Sequence, residues 1–160
     1  MSQDTALKTQ LVELLDAATA HLRFSDVVAR WPAKLHGVAP PGFAHTAWQI
    51  LEHMRIAQWD ILEFSRDPKH VSPVFPEGYW PKTAAPPDRA AWDRSVKLFR
   101  ADLKAMQALV KKPSTELFAR IPHGEGQTIL REALLVADHN AYHLGQLVDL
   151  RRALGAWHRK

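Results

Sequence analysis

An all-α bundle of four long helices is the fold this sequence predicts. Apolar residues recur at three- and four-residue spacing in four separate stretches, and no segment shows the two-residue alternation of a half-buried strand. Between the second and third stretches lies a proline-rich segment of about 20 residues, long enough for a crossover connection. With 160 residues, 46% hydrophobic and 24% charged, the chain suits one globular domain with a sizeable core.

Leu7, Leu11, Leu14, Leu15, Ala18 and Leu22 keep to one face of a first helix over residues 4 to 22. Ser25 is placed to cap a short helical turn carrying Val27, Val28 and Trp31, after which Pro32 and the glycines and prolines of residues 37–42 end regular structure. Thr46, followed three residues on by Gln49, is a capping-box start for a second helix reaching about Phe64. Its stripe Ile50, His53, Ala57, Ile61 and Phe64 places an imidazole among core-facing side chains.

Pro68, Pro73, Pro76, Pro81, Pro86 and Pro87 then resist helix and sheet, while Phe75, Tyr79 and Trp80 make the segment too aromatic for a spacer. It is expected to lie against the bundle and to roof a pocket. Fully extended it spans about 65 Å, ample to return along the second helix and start the third parallel to it. Asp88 is the predicted N-cap of that third helix, whose Trp92, Val96, Phe99, Leu103, Met106 and Val110 alternate steps of four and three until Pro113. The fourth helix begins near Gln127, after the loop Ile121-Pro122-His123-Gly124, and runs to about Leu154, where Gly155 stops it.

On that last helix Leu130, Leu134, Ala137, Ala141, Leu144 and Val148 form the most apolar arc, with Glu132, His139, His143 and Gln146 on its flank. The imidazoles are therefore expected to line a cleft. His139 and His143 lie about 40° apart around the helix and one turn apart along it, so both rings reach one ion. With His53 they describe a three-imidazole site for zinc or nickel, leaving a position open to water or substrate. Asp60 and Glu132, on the ligand-bearing sides of their helices, are candidates to accept the second N–H of a ligating ring or to relay protons. His21 and His123 are candidates for contact with substrate. His36, His45, His70 and His158 read as surface or loop residues.

Several functions are excluded by what is missing. Asn140, Ala141 and Tyr142 separate the histidine pair, so the glutamate of a His-Glu-x-x-His peptidase is absent. No glycine-flanked serine offers the nucleophile elbow of a Ser-His-Asp hydrolase. Without cysteine there is no disulfide and no thiolate ligand, and any thiol chemistry must use a thiol from outside. The formal charge of +4 and pI near 9.6 are spread over scattered Lys and Arg, gathered only in Arg151, Arg152, Arg159 and Lys160, and no nucleic-acid motif accompanies them. No nucleic-acid partner is expected. No apolar run approaches the length of a membrane span, and Met1 to Thr5 lack the order of a signal peptide, so the cytoplasm is the expected compartment.

The stretch Trp48-Gln49-Ile50-Leu51-Glu52-His53-Met54-Arg55, taken with Asp138-His139-Asn140-Ala141-Tyr142-His143-Leu144-Gly145-Gln146, resembles the DinB-like family of bacterial metal-binding four-helix bundles. The likeness extends through Glu77-Gly78-Tyr79-Trp80-Pro81, Ile121-Pro122-His123-Gly124 and Arg131-Glu132-Ala133-Leu134, nearly the whole chain. It implies an up-down-down-up bundle with a long crossover between the second and third helices. It also implies a metal held by one histidine of the second helix and two of the fourth, here His53, His139 and His143. Zinc or nickel is the implied metal, and a homodimer the implied assembly. Characterised members of the family include thiol S-transferases and thiol-dependent isomerases, and the family name, which refers to damage-inducible expression, implies no action on DNA.

The leading expectation is thus activation of a low-molecular-weight thiol for transfer to a small electrophile beneath the Tyr79 and Trp80 loop. Hydrolysis of an ester or amide by metal-activated water, relayed by Glu132, Asp60 or His123, is the second. A non-catalytic metal- or ligand-binding bundle is the third. Because protonated imidazole cannot ligate, metal is expected to leave below about pH 6.

Overall fold

The computed structural model describes residues 3–16 and 20–157. Five helices are present: α1 (Gln3–Asp16), α2 (Phe24–Val28), α3 (Ala47–Arg66), α4 (Ala91–Lys111) and α5 (Ile129–Ala153). Single turns of 3-10 helix occupy Ala33–Leu35 and Glu77–Tyr79. No strand occurs among the described residues beyond an isolated bridge between Arg120 and Thr128, so the fold is a helical bundle.

The helix starts follow from local chemistry. At α3 the Thr46 hydroxyl accepts the Gln49 N–H while the Gln49 side chain accepts the Thr46 N–H, a reciprocal cap worth on the order of 1 kcal/mol. The same hydroxyl donates to the Ala84 carbonyl at 2.6 Å, which ties the far end of the crossover to the beginning of α3. Thr128 caps α5 by accepting the Arg131 N–H. Beyond Leu154, Gly155 adopts φ +64°, the left-handed conformation that ends a helix at least cost when no Cβ is present.

Four boundaries differ from expectation. The first helix is described as far as Asp16, and Ala20 to Leu22 are not helical, so it does not reach Leu22; Ala18 lies outside the described residues. Ser25 sits inside α2, whose N-cap is Arg23 without a side-chain bond, so the serine caps nothing. Pro32 precedes a turn of 3-10 helix rather than ending regular structure. Asp88 accepts the Ala90 N–H at 2.8 Å and pairs with Arg94, which closes a turn two residues early and leaves Ala90 as the N-cap of α4.

Helix α3 packs against α4 and α5, and α1 covers α4 and α5 from the other side. The core divides into two clusters. One joins the first halves of α3 and α4 (Trp48, Leu51, Met54, Trp92, Phe99) to the last half of α5 (Leu144, Leu147, Leu150), with α2 closing it. The other joins Leu11 and Leu15 of α1 to Leu62, Met106 and Val110 and to Ile129, Ala133 and Val136. The seam expected along α4 is the buried one, with Val96 and Leu103 at its edge. On α5 the expected apolar arc is rotated: Leu134 is 44% exposed, whereas Glu132 and His143 are buried with Val136 and Leu147. A helix gripped by neighbours on both sides buries polar residues that its hydrophobic pattern alone would leave at the edge.

Arg151, counted in the sequence with a basic tail, is instead only 4% exposed. Its guanidinium donates to the carbonyls of Val27, Ala29 and Ala156 and is flanked by Trp31 and Trp157. The first two of those carbonyls belong to the C-terminal end of α2, where a helix presents unpaired acceptors and partial negative charge. Burial pushes the guanidinium pKa down, yet the site suits a cation. His158, Arg159 and Lys160 lie outside the described residues.

Candidate metal centre

Helix α3 supplies one imidazole and α5 two. His53 Nε2 lies 3.1 Å from His143 Nε2 and 3.1 Å from His139 Nε2, and the ligand atoms of all three fall within 4.8 Å of one another. His53 and His143 are buried and His139 half-buried, so two of the three rings sit in the bundle interior rather than lining an open cleft.

The other ring nitrogens decide what this arrangement can be. His53 Nδ1–H donates to the Tyr79 backbone carbonyl at 2.9 Å, and His143 Nδ1–H donates to Gln146 Oε1 at 2.8 Å. Both acceptors lack a proton, so each ring carries its hydrogen on Nδ1 and turns a bare Nε2 lone pair toward the other. Two lone pairs at that separation repel unless a cation lies between them. Nitrogens sharing a divalent ion at about 2.1 Å sit roughly 2.9 to 3.4 Å apart as the geometry changes from octahedral to tetrahedral. The two separations at His53 lie in that range, and the donor set fits a divalent metal.

The crossover covers one side of the cluster, as expected, but not with both aromatics. Trp80 stacks face to face on His53, centroids 3.9 Å apart and 3° between planes, and also on His45 at 4.1 Å. Tyr79 contributes its carbonyl and sends its hydroxyl away to Asp60. A family model describing the DinB superfamily matches residues 11–147, a span holding all three imidazoles and the crossover. The chain belongs to the DinB superfamily. Neither the curated proteins nor the solved structures give a match.

Around this DinB centre the structure sorts the remaining candidates. Asp60 accepts from His70 Nε2 at 2.7 Å and from the Tyr79 hydroxyl at 2.6 Å, so it touches no ligating ring directly. Glu132 is buried against Arg131, seven residues and about 10 Å along α5 from His139. His123 Nε2–H donates to the Phe64 carbonyl, eleven residues down α3 from His53, and the residue is exposed. His21 is exposed, bonded to the carbonyl of Leu22, and rims a cavity of about 30 Å³ with Met54, Asn140 and Leu144, on a different face of α5 from the imidazoles. Neither the second N–H of His53 nor that of His143 reaches a carboxylate; a carbonyl and an amide take those places.

Three histidines read as surface or loop residues do lie in loops, but none is freely exposed. His36 is buried and stacks on Trp92 at 3.9 Å, His70 pairs with Asp60, and His45 flanks Trp80 beside the centre. The signal for Gln146 was present in the sequence, since a residue three after His143 shares its helix face. Nothing in the sequence announced His45, because it precedes the helix and only the path of the loop sets its position.

Burial holds all three imidazoles below the usual histidine pKa, His139 down to about 4, with the neighbouring His143 and His53 adding to its shift. Between about 4 and 6.5 the folded chain therefore binds fewer protons than the unfolded chain, and stability rises with pH across that window. Thermal melts of chelator-treated protein should show the melting temperature falling as pH is lowered from 6.5 toward 4. A His139→Ala variant should lose much of that dependence.

Proposed function

We propose that His53, His139 and His143 hold one divalent ion, zinc or nickel, and that the protein uses it to activate a low-molecular-weight thiol for transfer to a small electrophile. The observation that carries this reading is the pair of Nε2 lone pairs turned on each other while their Nδ1–H groups are committed elsewhere. An ion held by neutral imidazoles alone keeps its double positive charge, and when bound it supplies acidification of a water or thiol to near neutrality, about pH 7 for a comparable zinc site.

The chain's own residues orient and cover. Tyr79 and Gln146 fix the rings of His53 and His143, and Trp80 shields a face of His53 from water. Tyr142, 65% exposed with its ring against His143, gives a substrate an aromatic surface at the rim. With no cysteine in the chain, the sulfur nucleophile comes from solution. Hydrolysis is the weaker reading, because Glu132 and His123, named as its proton relays, lie away from the imidazoles.

Among the described residues, no helix is long and apolar enough to cross a membrane. We place the protein in the cytoplasm, acting on small molecules without a nucleic-acid or membrane partner. We also take it to be a homodimer, for which the exposed Val71, Val74 and Phe75 of the crossover offer an apolar strip.

A panel of small thiols with electrophilic acceptors, run beside chromogenic esters on zinc- and nickel-loaded protein, tests the reading. Turnover is expected only where thiol is present, and it should vanish in His139→Ala. Turnover of esters without thiol would make water the nucleophile, and silence in every assay with metal bound would leave a binding protein.

A further inference from the structure

A buried polar cluster beside the centre has no part in the chemistry proposed above. Asp60 follows His53 by seven residues on α3, so the two side chains leave the helix within about 20° of one direction and about 10 Å apart. The turn Glu77–Tyr79 lies across both points: the Tyr79 carbonyl accepts from His53 Nδ1–H at 2.9 Å, and the Tyr79 hydroxyl donates to Asp60 Oδ2 at 2.6 Å. His70 donates to Asp60 Oδ1 at 2.7 Å, so both carboxylate oxygens are engaged; the Asp60 and His70 side chains are 10% and 8% exposed.

A carbonyl on an irregular, proline-rich segment is a poor fixed acceptor unless something anchors the segment. Here the anchors are visible. The Gly78 N–H donates to the Val74 carbonyl at 2.7 Å, and a Cβ on Gly78 would stand 2.7 Å from the Pro73 side chain, so the turn is packed tightly on its own beginning. His70 meets the edge of Trp59 on α3. Burial, with the bond to Asp60, lifts the Tyr79 phenol to about 12, so it remains a donor at any working pH.

We infer that Asp60 is a positioning residue for the metal centre: by holding the Tyr79 hydroxyl and the His70 ring, it fixes the crossover so that the Tyr79 carbonyl sets the tautomer and orientation of His53. This rests on the reading that the three imidazoles bind a metal. Ligating histidines depend on the acceptor of their second N–H, and the acceptor here is itself held in place by a carboxylate two helical turns beyond His53.

The test uses the full chain with Zn²⁺ and Co²⁺ as probes, comparing wild type, Asp60→Ala, Tyr79→Phe and His53→Ala. Asp60→Ala and Tyr79→Phe are expected to weaken Zn²⁺ binding about ten- to a hundredfold and to alter the Co²⁺ visible spectrum. In metal-free protein, ¹⁵N NMR should show His53 as the Nδ1–H tautomer in wild type and a mixture in both variants. Tyr79→Phe keeps the ring and removes only the hydroxyl, so it carries the test if Asp60→Ala does not fold. Unchanged Zn²⁺ affinity and tautomer in Tyr79→Phe, with only a lower melting temperature, would make the cluster a structural brace and overturn the inference while leaving the metal reading intact. Equal Zn²⁺ uptake by wild type and His53→Ala overturns the metal reading instead, and the tautomer measurement then decides the positioning role alone.

Discussion

His139→Ala is expected to strip the protein of stoichiometric metal while leaving its helices intact. Apparent zinc-binding free energies of about 10–16 kcal/mol for four-ligand sites amount to roughly 3 to 4 kcal/mol per ligand, or more than about a hundredfold in affinity. His139 is half-buried, so its truncation opens no deep cavity, and it removes the ring least willing to take a proton. Elemental analysis and competition against a chromophoric chelator measure the loss. His53→Ala should match it, and His123→Ala, whose ring bonds the Phe64 carbonyl at a distance from the imidazoles, should retain wild-type metal content. Full occupancy in His139→Ala would remove α5's first imidazole from the site.

The largest effect on stability is expected at Arg151. Replacing it by Ala or Met leaves the carbonyls of Val27, Ala29 and Ala156 without their donor and withdraws a cation from between two indoles. Each buried acceptor left unmet costs about 1–3 kcal/mol, so a loss of roughly 3 kcal/mol or more follows even if water repairs part of the site. For a chain of this size that lowers the melting temperature by about 6–12 °C. Arg151→Lys should recover little, because an ammonium cannot present the planar fork that reaches carbonyls on separate segments. Melting near the wild-type temperature in both variants would show that these bonds contribute little.

How much of this was legible follows from where each signal resides. Thr46 with Gln49, Thr128 and Gly155 mark helix ends through bonds made within three or four residues, and there the chain agrees with its sequence. His53, His139 and His143 were legible for a similar reason, since helical spacing fixes directions once the helices exist. Asp88 and Ser25 misled because the same short side chains that cap helices also close turns or sit in a first turn, and only the path of the chain selects among these. The burial of Arg151 depends on Val27 and Ala29, more than a hundred residues away, and the depth of His143 on His53 and Trp80 packed across from α5. The partner of the His53 ring escaped for the same reason: a backbone carbonyl at Tyr79 leaves no trace in residue type.

The pairing of His53 with His143 joins positions 90 apart, and His139 lies 86 from the same ring. During synthesis, α3 is therefore complete long before the two imidazoles of α5 have emerged from the ribosome. The three imidazoles come together only when α5 docks on α3, so the cluster is assembled by tertiary packing and not within either helix alone. Products ending before residue 139 would carry His53 without either of the imidazoles that complete the cluster.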